Sequence, residues 1–216
     1  MGLLIIVGDL AEFLYNLDNT DEEEIEDYKE IYRSLDRFLL RCGLPGHKKP
    51  ESVELPYRGE SDNFSYSSIH YLRRAYVHMC KGFEVIPFDG EYASKDRLLA
   101  AEYDSPSIYS HLVYHSDCEG FYVPVNFPSP LIPAVEDDVL GGIVGSSYCL
   151  LRELVSVAPF LDIQLEGGDL SEYMLKKLLI DRERDCHPFK IERMVWFTLF
   201  ECARKSIEYK TAIRFG

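Results

Sequence analysis

Residues 111–120 read His-Leu-Val-Tyr-His-Ser-Asp-Cys-Glu-Gly and bring imidazoles, carboxylates and a thiol into one short stretch. His111 and His115 stand four apart, so on a helix their rings would share a face and could reach one metal ion, with Asp117 or Cys118 as a further ligand. The zinc-protease pattern needs a glutamate directly after the first histidine to activate water, and Leu112 stands there. Metalloprotease chemistry is therefore disfavoured, and no metal or cofactor is assigned. Cys118 could act as a nucleophile only beside a protonated His115, because Asp117 and Glu119 disfavour its thiolate. The plainer reading is a tight turn, in which Ser116 and Asp117 bond backbone amides and Gly120 takes a left-handed conformation ahead of a strand.

A second cluster, His70-Tyr71-Leu72-Arg73-Arg74 with His78 beyond it, is basic and aromatic in an acidic chain. Its guanidinium groups could clamp an anion or pair with the protein's own carboxylates. Should the two segments converge, His70, Arg73, Arg74, His111, His115, Asp117, Cys118 and Glu119 would form a polar ligand-binding pocket. Gly141-Gly142 through Ser147 sets amides ahead of a helix, but no lysine follows at phosphate-loop spacing, so it reads as a glycine turn with a serine cap. Trp196, the one tryptophan, reads as core packing.

These residues belong to a chain of 216 with 23 basic and 37 acidic side chains, a net charge of −14. That balance repels a phosphate backbone and denies the counterion release behind nonspecific nucleic-acid binding, so nucleic acid is excluded as a partner. Half of the excess lies between Asp18 and Glu30, where eight carboxylates face Lys29 alone. This run is either a docking surface for a basic protein or a solvated helix start. With 46% hydrophobic and 13% aromatic residues the chain reads as globular. The six cysteines are scattered and imply no disulfide framework. The apolar run Leu3 to Val7 is too short for a membrane span and lacks a basic leader, so a cytoplasmic protein without a membrane partner is expected, its oligomeric state open.

The elements that must position the candidate residues follow from apolar spacing. A capping box at Thr20 and Glu23 opens a helix with the stripe Ile25, Tyr28, Tyr32, Leu35, Leu39 and Cys42, ended by Gly43 and Pro45. A long surface loop spans about 44–64. A helix over 66–81 puts Ile69, Leu72, Tyr76, Met79 and Cys80 on one side and His70, Arg73, Arg74 and Lys81 around the other. A strand is predicted at 83–88, a weaker helix after Ser94, and a short helix from Ser105-Pro106 leading into the histidines. A strand at 121–125 follows, then a helix opened by Gly145-Ser146-Ser147 and stopped at Pro159. Asp169 and Glu172 cap a further helix, Pro188 begins the last, and 212–215 closes as a strand. The fold class is α+β, a predominantly helical single domain over 1–216 with a few short strands.

The stretches Tyr66 to Tyr76, Ser110 to Pro124 (S-H-L-V-Y-H-S-D-C-E-G-F-Y-V-P) and Gly145 to Leu154 (G-S-S-Y-C-L-L-R-E-L) resemble those of an uncharacterised bacterial protein family. The resemblance spans most of the chain. It implies a whole-chain domain and brings no catalytic residue with it. Taken with the charge, the residues point first to a soluble interaction protein, of the immunity type, whose acidic face meets a basic partner. The alternatives are an enzyme or small-ligand-binding protein built on the His111 to Glu119 segment, or a metal-assisted hydrolase using His111 and His115.

Overall fold

A computed structural model describes residues 2–8, 22–47 and 64–216. Six α-helices and six short strands are formed among them. In chain order they are β1 (Ile5–Val7), α1 (Glu22–Arg41), α2 (Ile69–Cys80), α3 (Arg97–Tyr103), β2 (Gly120–Val123), β3 (Val144–Ser146), α4 (Ser147–Val157), β4 (Leu165–Glu166), β5 (Asp169–Leu170), α5 (Glu172–Arg184), α6 (Lys190–Tyr209) and β6 (Ile213–Phe215). The fold is α+β and mostly helical.

Four strands form the central sheet in the order β1-β6-β2-β3. β6 runs antiparallel to both its neighbours, with Ile5 opposite Phe215 and Phe121 opposite Arg214, while β3 is parallel to β2. Alternation along β2 divides the interior in two. Phe121 and Val123 point to one face, where Val144, Ala212 and the α1 residues Tyr32, Leu35, Phe38 and Leu39 meet them. Tyr122 points to the other, with Ile5, Val7, Ile213 and Phe215, against α2, α4 and α6. Burial on both faces explains why β2 reads as a continuous apolar run. On α6, Trp196 stacks on Phe200 at 4.5 Å and donates its indole N–H to the Leu154 carbonyl at 2.8 Å, so its role is packing with a satisfied polar edge.

Several expectations are corrected. The Leu3 to Val7 run, read only as too short for a membrane span, ends in strand β1, which buries Ile5 and Val7 in the sheet. Residues 83–88 form no strand; Arg74 holds this segment by donating to the Ile86 carbonyl at 2.9 Å, and no neighbouring strand pairs with it. No helix follows Ser105-Pro106, although the Ser105 hydroxyl accepts from the Ser107 amide as an N-cap would. Gly145 lies inside β3 against the Tyr122 ring, not in a helix opening, and Ser146 caps α4 instead. Ser171, not Asp169, caps α5, its hydroxyl accepting from the Met174 amide. Arg73 and Arg74, expected on a wet face, are 2% and 4% exposed. Cys80 and Cys42, placed on apolar stripes, are exposed at helix ends. Thr20 of the capping box, Asp18 and Asp21 of the acidic run, and residues 48–63 of the loop lie outside the described residues. No helix among the described residues is long and apolar enough to cross a membrane.

Candidate functional site

The candidate segment is a turn held from two sides by opposite charges, the buried Arg73 and the half-buried Glu153. From α4, the Glu153 carboxylate accepts from the Ser110 hydroxyl at 2.9 Å and from the His111 and Leu112 amides at 2.9 and 2.7 Å. From α2, the Arg73 guanidinium donates to the carbonyls of Leu112 at 2.9 Å and His115 at 2.6 Å, with Ser116 at 3.4 Å. The carboxylate thus takes the amides of the turn and the guanidinium its carbonyls. Charge-assisted bonds of this kind are roughly twice as strong as neutral ones, and here they replace the helix that spacing suggested. Tyr122 closes the floor by donating its hydroxyl to the His111 carbonyl at 2.8 Å. Burial pushes the Glu153 carboxyl above the usual range, opposed by its three donors.

Both histidines of this turn are buried and differ in role. His115 stacks on Tyr122 at 4.0 Å, with Nδ1 2.9 Å from the Ser116 carbonyl and Nε2 3.1 Å from the Phe121 carbonyl. Burial depresses its pKa to about 4. His111 accepts from the Ser146 amide at Nδ1, 2.9 Å away, which fixes its proton on Nε2. Burial depresses this ring also to about 4, against the nearby Phe127 and Pro128 carbonyls. Its buried Nε2 makes no hydrogen bond of ordinary geometry. With Nδ1 of His111 occupied and both nitrogens of His115 turned to carbonyls, the pair does not share a metal-facing side. Among the described residues no group of three or more His, Cys, Asp and Glu could hold a metal ion.

The other candidates fall around this turn. His70 joins α2 to it through Asp117 at 3.0 Å and reaches Tyr103 of α3 at 2.8 Å; burial first, then Arg73, holds its pKa down, with Asp117 opposing. Arg74 turns away and pairs with Asp96 at 3.1 Å, which His78 also contacts. Cys118 and Glu119 are exposed, and their amides reach the Ser116 hydroxyl at 3.3 Å, as a serine turn requires. The structure therefore brings together His70, Arg73, His115 and Asp117, sends Arg74 to a separate ion pair, and leaves Cys118 and Glu119 at the surface.

His111 instead faces an open cleft of about 220 Å³ between α2, the turn and α4, lined also by Tyr76, Tyr109, Pro128, Arg152 and Glu153. Arg152 and Glu153 escaped the sequence reading. Their signal was present: two charges interrupt the apolar run Leu150-Leu151 and Leu154-Val155, and a carboxylate beside a core stripe needs buried donors.

The distribution of charge is uneven. Residues 83–151 hold 11 carboxylates against the two cations Lys95 and Arg97, whereas residues 152–216 hold 11 of each sign. In the acidic segment Asp96, Glu102 and Asp137 are paired, with Arg74, Lys81 and Arg41. Glu84, Asp89, Glu91, Asp104, Glu119, Glu136 and Asp138 are exposed and form no ion pair among the described residues. On α1 the balance is different, since Glu26 and Glu30 are bridged by Arg33 and Arg37 along the same helix.

No curated protein and no solved structure matches this chain. A family model described as "Putative DNA-mimic protein" matches residues 1–215. This corrects the expected partner, a protein marked only by basic charge. A DNA mimic takes the place of DNA on proteins that bind it, so DNA binding, not basicity, is the property that marks a partner. Over residues 1–215, then, the chain belongs to the family of that description.

Proposed function

We propose that this protein acts by occupying the DNA-binding surface of a DNA-binding protein, with carboxylates standing in for phosphates. One observation carries the reading: the seven exposed carboxylates of residues 83–151 that form no ion pair among the described residues, in a segment with only two cations. Carboxylates held without internal cations keep their field available to a partner's lysine and arginine side chains and speed its encounter. A chain that neutralised itself there, as residues 152–216 do, would present no such field.

The test is displacement from duplex DNA. DNA-binding proteins of a bacterial lysate are loaded on immobilised duplex and challenged with this protein or with an unrelated protein of equal net charge. Release of a discrete set by this protein alone, with recapture of that set by added duplex, is the expected result. Release of nothing, or of the same set by the charge-matched control, would overturn the reading.

A further inference from the structure

Residues 83–92, Phe-Glu-Val-Ile-Pro-Phe-Asp-Gly-Glu-Tyr, form no helix or strand, yet this strap is fastened to α2 along its length. The Phe83 amide donates to the His78 carbonyl at 2.9 Å. Arg74 donates to the Ile86 carbonyl at 2.9 Å and lies 5.0 Å from the centre of the Phe88 ring, and the Tyr71 hydroxyl donates to the Gly90 carbonyl at 2.9 Å. Val85 packs against the main core. Left outside are Phe83, 55% exposed, and Ile86, 51% exposed. Interspersed with them are the exposed carboxylates of Glu84, Asp89 and Glu91, which form no ion pair among the described residues.

Two large apolar side chains turned to solvent contribute little to folding, and on a backbone already fixed they offer contact area with little ordering left to do. Carboxylates speed an encounter and set its salt dependence, whereas residence rests on apolar anchors that lose their water. Duplex DNA has the same two parts, phosphates and, between them, apolar base surface such as the thymine methyl. We infer that the 83–92 strap is a docking surface for a DNA-binding protein whose DNA-contacting face holds an apolar contact ringed by lysine and arginine side chains. Phe83 and Ile86 fill that contact, and Glu84, Asp89 and Glu91 meet the cations around it. The inference rests on the function proposed above and narrows it: carboxylates alone would suit any basic surface, while this combination selects proteins that also touch bases through apolar groups. A second copy is the wrong occupant, because facing straps would bring the carboxylates of both together.

The test uses variants of unchanged charge. Phe83→Gln with Ile86→Thr removes the apolar pair of the strap, and Phe160→Gln with Ile180→Thr removes two apolar side chains of similar exposure from the balanced last third. The intact chain and each variant are titrated, over a range of salt, against a purified protein that the intact chain releases from immobilised duplex and that is identified by its mass. The strap pair is expected to weaken binding at least about tenfold with the slope of log K against log salt unchanged, and the control pair to bind as the parent does. Parent-like binding by the strap pair, or an equal loss in the control pair, would overturn this inference and leave the proposed function standing. Release of nothing by the intact chain would overturn both. Should the strap pair lower the melting temperature, Ile86→Thr alone, which keeps the branched shape, decides: binding about threefold weaker supports the inference, and unchanged binding overturns it.

Discussion

Arg73 and Glu153 each solve one half of the backbone of the 110–116 turn, and removing either leaves polar groups buried without partners. Arg73→Met keeps the volume and strands three carbonyls; Glu153→Gln keeps the shape but turns an amide N–H₂ toward donors. Each should lower unfolding free energy by about 2–4 kcal/mol, read from denaturant midpoints. Variants within about half a kcal/mol of the parent would show that the turn is held by something else. The buried histidines make a pH prediction. Both are neutral when folded, with pKa near 4, and regain the ordinary 6.5 when unfolded. Protons therefore bind the unfolded chain first, and stability is lost as pH falls from about 6.5 toward 4. At pH 5 each ring should cost on the order of 2 kcal/mol. Glu153 and Glu192, both held above their usual range by burial, act in the opposite sense and offset part of the loss. Denaturation at pH 7 and pH 5 measures the net change, and NMR titration of the two rings isolates their part; folded-state rings that titrate near 6.5 would contradict neutral buried imidazoles.

The elements legible in the sequence were helices that carry apolar residues three or four apart, although on α6 burial then runs unbroken from Val195 to Ala203. Tyr32, Leu35 and Leu39 on α1, Ile69 and Leu72 on α2, and Val195 and Leu199 on α6 are buried as helical spacing requires. What spacing concealed were elements fixed by distant charges. Arg73 and Arg74 read as a wet face because a sequence cannot show that carbonyls and Asp96 await them 20 or more positions away. The Ser105-Pro106 helix failed for the same reason, since Glu153 from α4 takes the amides that a helix there would have used. β1 was concealed by its length, three residues that among the described residues pair with the far C-terminal strand. Gly145 tests the sheet itself, because a Cβ there would land inside the contact distance of the Tyr122 ring. Gly145→Ala should cost about 1–3 kcal/mol by overpacking β2 against β3. An unchanged melting temperature would mean that the two strands are not registered as described.

At the scale of the whole molecule, net charge alone made the candidate partner a basic protein and set nucleic acid aside; the family match replaces basicity with DNA binding as the property to look for in a partner. What a net charge could not show is that the excess in the described structure gathers in 83–151 while the last third is balanced. A salt prediction follows. Duplex DNA carries a condensed counterion layer that is released on binding, whereas carboxylates spread over a folded surface carry none. Binding of the partner to this protein should weaken with salt, but with a shallower slope of log K against log salt than the same partner shows for duplex DNA. Equal slopes would indicate a different mode of recognition. The most direct measurement compares two neutralised variants for displacement of DNA-binding proteins from duplex. One changes Glu84, Asp89, Glu91, Asp104, Glu119, Glu136 and Asp138 to their amides, and the other changes the six exposed carboxylates within 152–216, which are Asp162, Glu166, Glu172, Glu183, Asp185 and Glu208. Loss of displacement in the first with retention in the second is the result predicted here; retention in the first, or equal loss in both, would contradict it.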